Sequence, residues 1–371
     1  MDKKALLSQL EKKGYLRDDN VKQVMLEVDR SKFTKIPEQK KKAWDDTPIV
    51  FFYENDEHFR TISAPHMVAI MLQLLDLRAS DTVLILGSKG GYIASLISLL
   101  CPKGHVYLLE ADPPIARATS ENLLITGFET RVTVINRDPL LGLPEKAPWS
   151  KILITGAIPF VPKELLNQLV EGGFVLTPIS STSREEQEFT EIIRHGNDFQ
   201  TIPHGKVIFQ ELSTECLTPA ACDLQAEPLP ITSSTGDLVE NFLGLPNVMI
   251  TEIRFDKEIY EEDNTVRLQI SLHNGEEDAL LVRVKWNAPS FNQGKGQTDL
   301  IQVGPQKQLD EQILLGNVKN VGENEFDVWV CDKENRRLSK KSYLAEVKRS
   351  FKSKLKKVLE YAIKLRQLSP I

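Results

Sequence analysis

Apolar positions recur along this chain with different periods, and each change of period marks a change of structure. In the first 36 residues Ala5, Leu6, Leu7 and Leu10 form a helical stripe, and Gly14 supplies a stop. Asp18 or Asp19 can cap a second helix, which carries Val21, Val24, Met25 and Val28 at helical spacing. Residues 37–60 show no period. A lysine run there is followed by Trp44, Phe51, Phe52 and Tyr53, and the stretch is expected to be irregular. His66 to Leu77 is again helical in pattern.

From Thr82 onward, short apolar runs alternate with helical ones. TVLILG, HVYLLE, RVTVIN, KILITG and GFVLTPI read as strands, with YIASLISLL, PIARATSENLLITG and PKELLNQL as the helices between them. FTEIIRHG and KVIFQEL are expected to be closing strands. Strands separated by helices in this way predict an α/β domain with a doubly wound sheet, placed over residues 1–216. Residues 217–247 are rich in Pro, Ser, Thr and Ala and read as a linker holding one short helix. The period then becomes two: Val266, Leu268, Ile270 and Leu272 alternate with polar residues, as do Val282, Val284 and Trp286, and Phe326, Val328 and Val330. Runs of this kind, with Asn274-Gly275 as a hairpin signal, predict an all-β sandwich of immunoglobulin or fibronectin type over 248–346. His273 is read as an exposed hairpin residue. Phe351, Leu355, Val358, Leu359, Ala362 and Leu365 predict a C-terminal amphipathic helix over 347–371.

Composition narrows the class. With 41% apolar and 26% charged residues, the chain falls in the globular range and outside the disordered one. No apolar run approaches the roughly 20 residues of a membrane span, and the N-terminal stretch has no apolar signal region, so a cytoplasmic location is expected. The four cysteines are scattered without a CxxC pair, which argues for reduced thiols and against a metal site. The net charge of −6 hides an asymmetry, because residues 340–371 carry ten Lys/Arg against two acids. Such a segment can meet an anionic partner or the protein's own acidic face. Stacking aromatics are nearly absent from it, so a solvated helix face is favoured over a nucleic-acid contact.

The chemistry concentrates at the turn Gly87-Ser88-Lys89-Gly90-Gly91-Tyr92, which follows the first sheet strand. A glycine-rich strand-to-helix turn lets a ligand approach backbone N–H groups. The dinucleotide pattern G-x-G-x-x-G fails, since Lys89 takes the second glycine position, and no phosphate-loop pattern is present. Alone, the turn can also be a tight βα connection. Glu110 ends the second strand about 20 residues on, where an acid can accept ribose hydroxyls. Asp138 follows the third strand, where a carboxylate can accept from an adenine amino group. Either acid could instead cap the helix after it, but the three features together define an adenosine-binding constellation.

LEKKGYLRDDNVKQVMLEVDRSKF, DDTP, TISAPHMVA, the GSKGGY turn and ITGAIPFVPKELLNQLVEGGFVLTPIS together resemble the protein-L-isoaspartate O-methyltransferase family, from about Leu10 to Leu212. The resemblance implies a Rossmann-like methyltransferase sheet that uses S-adenosyl-L-methionine on isoaspartyl carboxylates of a protein or peptide substrate. It implies that Gly87, Ser88, Lys89 and Gly91 cradle the donor, Glu110 holds its ribose and Asp138 its adenine end. Ser63, with Thr61, would lie beside the methyl donor and the substrate carboxylate; both can equally serve as caps before the helix at His66, itself read as structural. Three positions depart from the family pattern: Ile85 replaces an acid, Lys89 replaces a glycine, and IVFFYENDEHFR replaces a shorter stretch ending in Gly-Gln. Two further readings therefore stay open, a methyltransferase-fold binding module without turnover, and a methyltransferase redirected to another protein or to RNA. The β-sandwich is expected to bind a partner protein or to recruit substrate.

Overall fold

The computed structural model describes residues 2–180, 187–214, 236–243, 245, 248–255, 260–261, 265–288, 295–317, 322–333 and 337–348. Two compact units divide the chain, Met1–Gly244 and Leu245–Ile371.

The first unit opens with α1 (Lys3–Lys12) and α2 (Asp19–Glu27), whose N-termini are capped by the side chains of Asp2 and Asp18. Their apolar stripes, Leu6, Leu7, Leu10, Val21, Val24 and Met25, enter the main core. The region expected to be irregular is instead ordered. It holds a short helix α3 (Pro37–Lys41) and an antiparallel hairpin of β1 (Ile49–Tyr53) and β2 (Phe59–Ile62). Ile49 and Phe51 alternate into the core, a period of two concealed by the apolar and aromatic residues between and after them. α4 (Pro65–Leu75) follows and stops at Asp76, which is left-handed at φ 48°.

The sheet is assembled from β3 (Val83–Leu86), β4 (Val106–Glu110), β5 (Val132–Asn136), β6 (Trp149–Ile154), β7 (Leu169–Ser180), β8 (Gln187–His195) and β9 (Asp198–Val207). Between strands run α5 (Tyr92–Leu100), α6 (Pro113–Thr126) and α7 (Lys163–Leu166). Strand order is β5-β4-β3-β6-β7-β8-β9, parallel through β7 and antiparallel at β8 and β9. β3 explains why its sequence is apolar throughout: Val83 and Ile85 join one core cluster, Leu84 and Leu86 the cluster on the other face.

The last strand departs from the sequence expectation. KVIFQEL supplies only its first residues to β9, which is formed mainly by the polar DFQTIPHG that precedes it. β9 sits at the sheet edge, where Pro203 is tolerated at a register shift, so strand propensity there is weak while pairing with β8 is extensive. Residues 208–213 leave the sheet and cross the strand ends, where Ala157 bridges Glu211. PKELLNQL likewise makes only the four residues of α7 before β7 begins. Most of the expected linker, 217–247, lies outside the described residues; its short helix is α8 (Leu238–Leu243), whose Leu238 and Phe242 belong to the core of the first unit.

The second unit contains two sheets. One has the order β10 (Val248–Phe255), β12 (Thr265–Asn274), β16 (Gln308–Asn317). The other runs β11 (Tyr260–Glu261), β18 (Arg337–Lys348), β17 (Gly322–Asp332), β13 (Leu280–Asn287), β14 (Lys295–Gln297), with β15 (Ile301–Val303) also on β13. Leu268, Ile270 and Leu272 of the first sheet share one core with Val282, Val284, Val328 and Val330 of the second. Asn274-Gly275 is not a hairpin turn, because β12 and β13 lie in different sheets. The buried Asn274 amide instead holds the crossing, donating to the carbonyls of Asp278, Val303 and Gly304 while its oxygen accepts from the Glu276 N–H. His273 is a partly buried strand residue opposite Met249 and Gln308. Val347 and Lys348, expected to begin the terminal helix, end β18, and the remainder of that helix lies outside the described residues.

Candidate functional site

Strand order reverses direction at β3. Successive strands β4 and β5 are added on one side of it, and β6 and β7 on the other. The connections therefore diverge, and a crevice opens at the carboxyl ends of β3 and β6, the place where open α/β sheets bind ligands. A pocket lies there. Its walls are Gly87, Ser88 and Lys89 after β3, Glu110 at the end of β4, and Thr155 and Gly156 after β6. Phe51 and Arg60 close it from the β1–β2 hairpin, and Glu211, Leu212 and Ser213 from the segment crossing the strand ends.

The turn has the backbone its glycines allow. Gly87 is at φ +90°, and a Cβ there would lie 2.6 Å from Thr155 Oγ1, whose hydroxyl donates to the Gly87 carbonyl at 2.9 Å. Gly91, at φ +87°, lies at the N-terminus of α5 and packs on Leu123 rather than lining the pocket. Glu110 is buried. Its two oxygens accept from the backbone N–H of Ser88 (3.0 Å) and of Asp112 (3.2 Å). Burial raises its carboxyl pKa, against the pull of the hydrogen bonds from the Ser88 side chain and from the Asp112 and Ser88 N–H groups, and of the Arg60 charge. The Ser88 hydroxyl is buried beside the carboxylate.

Lys89 is the unusual member. It keeps a left-handed φ of 43° at a position suited to glycine, and its side chain is turned inward to 8% exposure. The ammonium stands 5.9 Å from the centre of the Phe209 ring and has no hydrogen bond or ion pair among the described residues. Burial, reinforced by Arg60 and opposed by Glu110, brings its pKa down to about 8.

Asp138 is placed differently from the other expected donor ligands. It caps the turn Pro139–Leu141 through the Leu140 N–H, accepts from the Thr214 hydroxyl at 2.6 Å, and is not part of the pocket wall. Thr61 and Ser63 lie just beyond Arg60 of the wall. The Thr61 hydroxyl donates to Gln210 Oε1 at 3.1 Å, while the largely buried Ser63 hydroxyl has no partner among the described residues. Neither caps α4, whose N-cap residue is Ala64. His66 is bonded through Nδ1 to Asp46 at 2.8 Å, and Asp46 also accepts the His66 N–H. Burial would raise the Asp46 carboxyl, but these bonds from His66 hold it below its ordinary value.

Arg30, Arg60, Thr155, Gly156 and Glu211 carry no local motif. Arg30 is fully buried and donates to the carbonyls of Ala43, Thr47, Ile62 and Ser63, tying the strand before α4 to the N-terminal region. The other four reach the pocket from distant parts of the chain.

Ser88 with a buried hydroxyl, Glu110 with a carboxylate at the wall, and Gly87 with no room for a side chain suit a hydroxyl-bearing ligand lying close to the backbone. They fit the ribose of a nucleoside cofactor. Sheet order, switch-point pocket and this donor set define a Rossmann-like methyltransferase fold. Residues 1–215 match the family model "Protein-L-isoaspartate(D-aspartate) O-methyltransferase (PCMT)", and the chain belongs to that family, whose members use S-adenosylmethionine. It is 38% identical over 186 residues to the protein-L-isoaspartate O-methyltransferase of Hyperthermus butylicus, a match covering 48% of this chain and 74% of that protein. A solved protein-L-isoaspartate O-methyltransferase superposes with a TM-score of 0.54 at 25% identity, covering 59% of this chain and 68% of the other. The Plasmodium falciparum member crystallised with S-adenosyl-L-homocysteine gives a TM-score of 0.50 at 24% identity, over 57% of this chain and 99% of that one.

Proposed function

We propose that the first unit methylates isoaspartyl carboxylates of damaged proteins, with the donor bound in the switch-point pocket. The observation that carries this reading is the buried Glu110 carboxylate beside the buried Ser88 hydroxyl at the ends of adjacent parallel strands, in a chain of this family. In this reading Glu110 and Ser88 bind the donor's ribose, Gly87 and Gly91 shape the turn, and Asp138 orders the adenine side through its cap and its bond to Thr214. Bound there, S-adenosylmethionine would supply an electrophilic methyl group on a sulfonium.

The protein's own residues then have little chemistry left to do. An isoaspartyl carboxylate is ionised near neutral pH, so no base is required, and alignment and exclusion of water are what remain. Ser63 offers its unengaged hydroxyl to the substrate carboxylate as an orienting donor. Thr61 is held by Gln210, and Arg30 fixes the Ser63 carbonyl, so the hydroxyl is presented from a rigid segment. The second unit, a β-sandwich in this reading, recruits or orients the protein substrate.

Transfer of labelled methyl from S-adenosylmethionine to an isoaspartyl peptide, beside its aspartyl counterpart, tests the assignment. Selective labelling of the isoaspartyl peptide is expected. Donor binding with neither peptide labelled would refute it, in favour of a binding module or a redirected substrate.

A further inference from the structure

The inward Lys89 bears on which form of the cofactor this pocket prefers, an inference that rests on the proposed donor site. A lysine at a glycine-rich turn ordinarily runs its stem along the surface and keeps its ammonium in water. Here the residue lines the pocket, with the face of Phe209 5.9 Å from its ammonium. The charged groups on the wall around it are Arg60 from β2, Glu110 from β4, and Glu211 from the segment after β9. Arg60 is tethered at the wall, donating to the Phe59 carbonyl and to the Ser213 hydroxyl. Lys89 has no such tether, so its charge remains directed at whatever occupies the space.

We infer that Lys89 selects by charge, setting the pocket to hold the neutral thioether product more tightly than the cationic sulfonium donor. The two ligands carry the same nucleoside and the same amino-acid carboxylate. Any attraction between Lys89 and that carboxylate therefore acts on both alike. The sulfur charge is what differs, and it shares the pocket with an ammonium that is itself buried. Like charges facing each other within one pocket, at an effective dielectric near 20, change a binding constant on the order of tenfold or more. Since burial brings the Lys89 pKa to about 8, the discrimination should relax as pH rises through that value.

The test is calorimetric titration of the full chain with S-adenosylmethionine and with S-adenosylhomocysteine, near pH 6.5 and near pH 9.5. Wild type is compared with Lys89→Met, which keeps the stem, and Lys89→Gly, which accepts the positive φ. The product-to-donor affinity ratio is expected to fall about tenfold or more between the two pH values in wild type. In both variants it should be low and independent of pH. An equal ratio in wild type and variants, or a wild-type ratio unaffected by pH, would overturn the inference while leaving the donor site intact. Equal weakening of both ligands in Lys89→Met would also overturn it, since Lys89 would then be gripping their common carboxylate. Binding of neither ligand by any of the three folded proteins would overturn the donor site and this inference together.

Discussion

Ser63 and Arg30 show how a side chain with no charge and one with a fixed charge can serve the same site. Four carbonyls converge on the Arg30 guanidinium, which burial brings down to a pKa of about 10, still protonated at neutral pH. The backbone of Ser63 is thereby fixed while its hydroxyl stays unengaged. Ser63→Ala is expected to lower methyl transfer on the order of 10²-fold, as for loss of one positioned transition-state donor, with donor affinity nearly unchanged. Comparing transfer rate with donor titration on the same variant checks this. Equal activity in Ser63→Ala would remove Ser63 from the reaction. Ser88, Lys89 and Glu110 were legible in the sequence because a turn and the strand beside it fix their spacing. Thr155 and Arg60 were not, because they meet the turn only once β6 and the hairpin have docked.

The β1–β2 hairpin forms one wall of the pocket, and a single histidine fastens it to α6. His58 bonds through Nδ1 to Glu54 (2.5 Å) within the hairpin, and through Nε2 to Asp112 (2.7 Å), the residue that caps α6. The bonds from Glu54 and then Asp112 raise the His58 pKa above its ordinary value. The raised value gives the sign: the fastening is complete below the unfolded-state pKa near 6.5 and is lost as pH rises through the folded-state one. Protection of the hairpin amides, taken relative to the intrinsic exchange rate at each pH, should therefore fall across that window in wild type and be low at every pH in His58→Ala. Wild-type protection that is independent of pH would contradict this fastening. The hairpin was itself hidden from sequence, since IVFFYENDEHFR shows neither a clean alternation nor a glycine turn. β3 was plain, because a strand buried on both faces is written as an unbroken apolar run. β9 was misplaced by several residues, because an edge strand needs pairing more than propensity.

At the scale of the whole chain, the first unit runs past the sheet to include α8. Leu238 and Phe242 are buried in its core, Arg17 lies over the Phe242 ring at 5.0 Å, and the Asn241 amide donates to the His204 carbonyl. Composition pointed to a linker starting at residue 217, since so short a helix in a Pro- and Ser-rich setting announces no packing. A chain ending at Gly244 should accordingly be more stable than one ending at Cys216 by about 3–6 kcal/mol, the burial of two large apolar side chains. Denaturant unfolding of the two truncations measures the difference, and coincident midpoints would show that α8 contributes nothing. Among the described residues no helix is long and apolar enough to cross a membrane. The account as a whole depends on the switch-point pocket being the donor site. Titration of the full chain and of its Glu110→Ala variant with S-adenosylhomocysteine tests that most directly. Saturable one-to-one binding to wild type is predicted, weakened in the folded variant by roughly 1.5–3 kcal/mol, the range for hydrogen bonds to a charged group. Unchanged affinity in the variant, or no binding to wild type, would contradict it.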